Sequence, residues 1–141
     1  MLEIPVDLRQ VITDEGEKAY PNECCGFVLG RVTEAGARKT EILIPIDNAR
    51  EAEEQYHRFS INPEDVMGAE KKARTLNLDI IGIYHSHPDH LARPSDYDRE
   101  QALPFYSYLI VSVKEGRAEV LTSWELAADR SAFIEEEIIW R

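Results

Sequence analysis

Residues 80–98 read IIGIYHSHPDHLARPSDYD and hold three of the chain's four histidines. The run IIGIYHSH is apolar and β-rich, so it predicts a strand at the centre of a sheet. Its histidines fall at the strand's end. Because side chains alternate with period two, His85 and His87 lie on one face, about 6.6 Å apart along the strand. One metal ion can be held by both rings. A catalytic zinc takes three protein ligands and leaves its fourth position to water, so a third donor is required. Asp89, His90, Asp96 and Asp98 are the nearby candidates. Ser95 and Asp98 stand at i and i+3, so a helix opening at Ser95 turns both side chains to a common side and turns Asp96 away. Ser95-x-x-Asp98 also has the form of a capping box.

Outward from this stretch the periodicities change several times. Leu8, Val11, Ile12 and Ala19 recur at helical spacing before Pro21. CCGFVLGRV reads as a buried strand, residues 34–39 as a turn, and EILIPI as a second strand. The segment 48–61, NAREAEEQYHRFSI, is polar and becomes strand-like near Phe59. Asn62-Pro63-Glu64-Asp65 is a strong helix start, with a capping residue, proline in the first turn and acids facing the helix dipole. That helix is expected to run to about Leu76. PDHLARP is a loop, SDYDREQA a short helix, and YSYLIVSV with RAEVLTSWEL a hairpin across KEG. The tail DRSAFIEEEIIWR favours a strand. Strands and helices interleave without a regular βαβ rhythm, which predicts an α+β fold with a mixed sheet flanked by helices, one domain over 1–141.

The 141 residues are 43% hydrophobic, enough for one ordinary core, and 27 acids against 16 bases give a net charge of −11. That charge repels nucleic-acid phosphates and anionic membranes, so neither partner is expected. No apolar run is long enough to span a bilayer, and charges break the N-terminal stretch too early for a signal peptide. A cytoplasmic protein is the simplest expectation. Cys24 and Cys25 are adjacent, a spacing that suits neither a disulfide nor a zinc finger, so reduced thiols are expected.

The spacing His-x-His-x₇-Ser-x-x-Asp, with Glu23 upstream in YPNECCGFVLG, resembles the JAMM motif of the JAB/MPN metallopeptidases. The similarity extends from Tyr20 to SWEL, and Cys25-Gly26 is the pair that matches the family. The resemblance implies a curved, MPN-type mixed sheet. It further implies a zinc ion (Zn2+) held by His85, His87 and Asp98, a water activated by Glu23, and Ser95 aiding the oxyanion. It also implies an isopeptidase or peptidase that cuts after the C-terminal Gly-Gly of a ubiquitin-like or sulfur-carrier protein, with residues 48–59 contacting that tail. Some family members keep the fold as non-catalytic scaffolds, which is the alternative. Asp89 and His90 lie inside the seven-residue interval and are open as competing ligands or substrate contacts.

Overall fold

In the computed structural model, which describes Met1–Arg141, β4 (Asp79–Pro88) is the strand that carries the two histidines. It is buried from Ile81 to Pro88, as an apolar run between two neighbours requires. On one side lies β2 (Cys25–Val32), antiparallel, and on the other β5 (Ser107–Lys114), parallel. The sheet is therefore mixed at its centre. Beyond β2 come β3 (Arg38–Ile46), β1 (Leu2–Ile4) and β8 (Ile138–Trp140); beyond β5 come β6 (Arg117–Leu126) and β7 (Phe133–Glu136). Consecutive in sequence, β7 and β8 occupy opposite edges of the eight-stranded sheet with only Glu137 between them. The tail thereby joins the two edges and curls the sheet.

Three helices cover it. In α1 (Val6–Ala19), Ile12 and Gly16 are buried, and a Cβ on Gly16 would stand 3.0 Å from Val113. The missing side chain lets α1 lie close on β5. In α2 (Pro63–Leu76), the Asn62 side chain accepts from the Glu64 amide at 2.9 Å, Pro63 fills the first turn, and Asn77 ends the helix in the left-handed region. Its inward face is Ala69 and Ala73, one turn apart. Helix α3 (Asp96–Gln101) is the short one after the histidine loop. Two apolar clusters fill the faces of the sheet. Ile12, Val28, Tyr84, Leu109 and Val113 pack on one face, and Phe27, Leu29, Ala73, Ile83 and Tyr108 on the other.

The expected α+β class and mixed, curved sheet are borne out. Two local expectations change. β1 was not anticipated, because Glu3 and Pro5 interrupt the short run LEI before any alternation can be seen. Phe59 is not in a strand: residues 47–62 form a loop with a single 3-10 turn, Ala52–Glu54. The reason is Asn48, whose side chain takes the backbone groups a strand would have used, accepting from Ser60 N at 3.1 Å and donating to Arg58 O at 2.9 Å.

Candidate metal centre

At the end of β4 the His85 and His87 rings point to the same side, with Nε2 atoms 3.1 Å apart. The capping box then supplies the third group. Ser95 Oγ accepts from Asp98 N at 3.0 Å, and Asp98 Oδ2 accepts from Ser95 N at 2.8 Å. The same Oδ2 stands 3.2 Å from His87 Nε2 and 3.4 Å from His85 Nε2. Capping and convergence are thus one arrangement.

These separations carry chemical meaning. For ligands about 2.0–2.1 Å from a tetrahedral zinc, the edges of the tetrahedron are about 3.3 Å. The three atoms match that triangle. Two imidazole nitrogens and one carboxylate oxygen are also a donor set that zinc accepts. His87 Nδ1 lies 2.8 Å from the Leu91 carbonyl and must donate to it, so in the neutral ring that a metal ligand requires, Nε2 carries the lone pair. Phe59 stacks on His85 with centroids 4.6 Å apart and shields it, and that ring is 1% exposed.

Glu23 sits one residue before Cys24 at the mouth of β2, and Cys25 faces His85 across the antiparallel pair. It is buried, and its Oε1 has no hydrogen-bond partner. Burial pushes its carboxyl up to about 7, the positive field of His85 and His87 works against that rise, and Asp98 adds to it. Its backbone is clamped: Glu23 N donates to Gln55 O at 2.7 Å, and Glu23 O accepts from Asn48 Nδ2 at 3.2 Å. Asp98 is held far below the usual carboxylate range: burial opposes this, and the two histidines together with the Ser95 amide outweigh it.

The structure separates the open candidates. Asp89 is turned away, in the left-handed region with φ 57°, accepting from Tyr20 Oη at 2.6 Å and from Glu115 N at 2.9 Å. The amide bond and the phenol hold its carboxyl below the ordinary value. His90 is exposed and outside the convergent group, as is Asp96, whose side chain is 97% exposed. His57 is a loop residue. Both cysteines are free thiols raised by burial, Cys24 to about 11. Cys24 brackets Ser86 instead, its amide donating to Ser86 Oγ at 2.8 Å and its carbonyl accepting from Ser86 N at 3.2 Å. Sequence reasoning missed Asn48, because a side-chain amide in a polar stretch gives no signal of what it will bridge.

Residues 5–127 match the family described as prokaryotic homologs of the JAB domain. The chain belongs to that family. Desampylase of Haloferax volcanii is 34% identical over 110 residues, covering 77% of this chain and 73% of that one. A solution structure from Desulfitobacterium hafniense is 31% identical with a TM-score of 0.87, covering 100% of this chain and 93% of the other. A JAB1/MPN domain protein from Archaeoglobus fulgidus shares only the fold, at 18% identity and a TM-score of 0.61 over 100% of this chain and 97% of that one. The JAB/MPN resemblance and the α+β MPN-type fold both stand on these findings. No helix is long and apolar enough to cross a membrane.

Proposed function

We propose that this member of the family is a zinc-dependent peptidase or isopeptidase that hydrolyses the bond following the C-terminal Gly-Gly of a ubiquitin-like or sulfur-carrier protein. The observation that carries the reading is the convergence of His85 Nε2, His87 Nε2 and Asp98 Oδ2 beside the buried, unpartnered carboxylate of Glu23. A scaffold needs neither. Similarity to a desampylase supports the substrate class.

His85, His87 and Asp98 would hold the ion, which supplies Lewis acidity and a water of lowered pKa. The remaining work falls to this chain's own groups. Glu23, raised toward neutrality, takes a proton from the water and returns it to the departing nitrogen, so the C–N bond breaks as the carbonyl carbon gains oxygen. Ser95 already accepts from Asp98 N, which leaves its hydroxyl proton free for the oxyanion of the attacked carbonyl. The carrier tail enters along residues 47–62 into an apolar cavity of about 340 Å³ that Phe59, Ile61, Ile83 and Tyr108 line next to His85 and Asp98. Beyond Lys39 the outer edge of β3 carries no further strand, so an extended tail can add to it through main-chain hydrogen bonds.

Elemental analysis together with cleavage of a carrier fusion tests this. About one zinc per chain is expected, lost in His85→Ala, with Glu23→Gln keeping zinc while hydrolysis falls roughly 10²–10⁴-fold. Undiminished zinc in a His85→Ala, His87→Ala double variant overturns the ligand assignment. A zinc-loaded protein that cleaves no carrier favours the scaffold reading.

A further inference from the structure

A second cavity, sharing no lining residue with the one beside Phe59, adjoins the candidate centre. It measures about 430 Å³ and is lined by His57, His87, His90, Leu91, Arg93 and Ser95. Its volume falls within the roughly 300–1,000 Å³ typical of small-ligand sites. It adjoins the proposed reaction centre directly, since His87 and Ser95 belong to its wall. Its composition is unusual for a protein of net charge −11: no carboxylate lines it, and Arg93 does.

Arg93 is also free. The arginine ion pairs of this chain join Arg31 to Glu41, Arg38 to Glu125 and Glu136, Arg50 and Arg58 to Glu54, Arg99 to Asp96 and Arg141 to Glu3. None includes Arg93, and its guanidinium makes no hydrogen bond. The adjoining groove, which shares Arg93, does hold acids, and each lies more than 4.0 Å from the guanidinium; Asp89 is occupied by Tyr20 and the Glu115 amide. The guanidinium is therefore an unpaired, planar, forked donor lining a cavity that holds no carboxylate of its own, the arrangement that recognises a carboxylate.

Resting on the proposed peptidase reading, with the carrier tail on the Phe59 side, we propose that this cavity holds the departing portion of the substrate and that Arg93 binds its free α-carboxylate. The preferred substrate is then a linear C-terminal extension, one residue or a short peptide after Gly-Gly, released as a free amino acid or peptide. A lysine-linked conjugate would bring a folded protein here instead, with no carboxylate at this distance from the bond. Exposed Leu91, at 74%, gives the departing side chain an apolar wall. Arg93 acts on specificity and not on the chemical step.

The test uses zinc-loaded full-length protein and ubiquitin and a sulfur-carrier protein, each extended beyond Gly-Gly by one alanine as the free acid or as the C-terminal amide. Wild type should cleave the acid about 10- to 100-fold faster in kcat/KM than the amide, the range for a charge-assisted hydrogen bond, chiefly through KM. Arg93→Ala should bring acid and amide to a common rate, and Arg93→Lys should keep part of the preference. Unchanged zinc content in both variants shows that the fold is retained. Equal cleavage of acid and amide by wild type, or a preference that survives in Arg93→Ala, overturns the inference and leaves the peptidase reading standing. Cleavage of none of the four substrates overturns that reading and the inference with it.

Discussion

Asn48 has no chemistry to offer a peptide bond, yet its side chain makes four hydrogen bonds: to Glu23 O, Arg58 O, Arg50 N and Ser60 N. It fixes the backbone of Glu23 and the loop that carries Phe59 in one step. Replacing it with alanine removes the clamp while touching none of the zinc donors. Asn48→Ala should keep its zinc and lose roughly 10²-fold in kcat, the scale of a reacting group displaced by about 1 Å. Full kcat with a lowered melting temperature would reduce Asn48 to a purely structural residue. Gly26 shows the opposite kind of necessity. A Cβ there would lie 2.3 Å from the Tyr84 ring, which is fully buried and donates to Glu15. Gly26→Ala should cost about 1–3 kcal/mol by overpacking, read as a lower denaturation midpoint. At this scale, what the sequence revealed was what lies close in the chain. His85, His87 and Asp98 could be joined by strand and helix periodicity, whereas Glu23 required a family resemblance and Asn48 had no sign at all, since Glu23 reaches the site only through the β2–β4 pairing and Asn48 only through the β2–β3 pairing that sets Ile46 opposite Cys25.

Helix α3 has six residues, too few to be stable alone, and its capping box is what starts it. Ser95 is proposed to serve both the cap and the oxyanion, and two variants separate these uses. Ser95→Ala should lower stability by about 0.5–2 kcal/mol, whereas Ser95→Gly, tolerated as an N-cap, should cost only a few tenths. Both should reduce turnover, on the order of 10²–10³-fold, because both delete the hydroxyl. Turnover that tracks stability across the pair would mean that Ser95 only caps. The loop 47–62 is bound to the same helix. Arg58 lies over the Tyr97 ring at 4.5 Å, and Arg50 donates to Tyr97 Oη at 3.1 Å. Two walls of the 340 Å³ cavity, the loop carrying Phe59 and the helix carrying Asp98, are therefore fastened to each other. Elements whose ends carry their own chemical signals, α2 above all, could be read from sequence. The loop could not, because its shape follows from bonds to Asn48 and Gln55 and from no periodicity.

The whole sheet depends on a joint far from the proposed chemistry. The tail was read as one strand, and its extended conformation is correct, but pattern alone cannot tell that two consecutive strands will sit at opposite edges. Their meeting point is a cluster of charge. Arg38 of β3 bonds Ser107 of β5, Glu125 of β6 and Glu136 of β7, and the N-terminal amine lies 3.3 Å from the same Glu136. The Glu136 side chain is only 5% exposed, so it must be paired there. Burial by itself would raise its carboxyl; hydrogen bonds involving Ser107, Ser123 and Glu125, with the N-terminal charge, outweigh that and hold it below its ordinary value. A carboxylate with a lowered folded pKa binds fewer protons in the folded chain than in the unfolded one. Its stabilisation is therefore complete above the unfolded value, roughly 4.3, and is lost as pH falls toward the folded value. Glu136→Gln should melt well below wild type at pH 7, since it leaves Arg38 and the amine without their buried partner. The gap between the two melting temperatures should narrow steadily below about pH 4.5 as the wild-type carboxylate takes its proton. A gap of constant size from pH 7 to pH 3 would show that the substitution acts through shape alone, and that this charge cluster does not close the sheet.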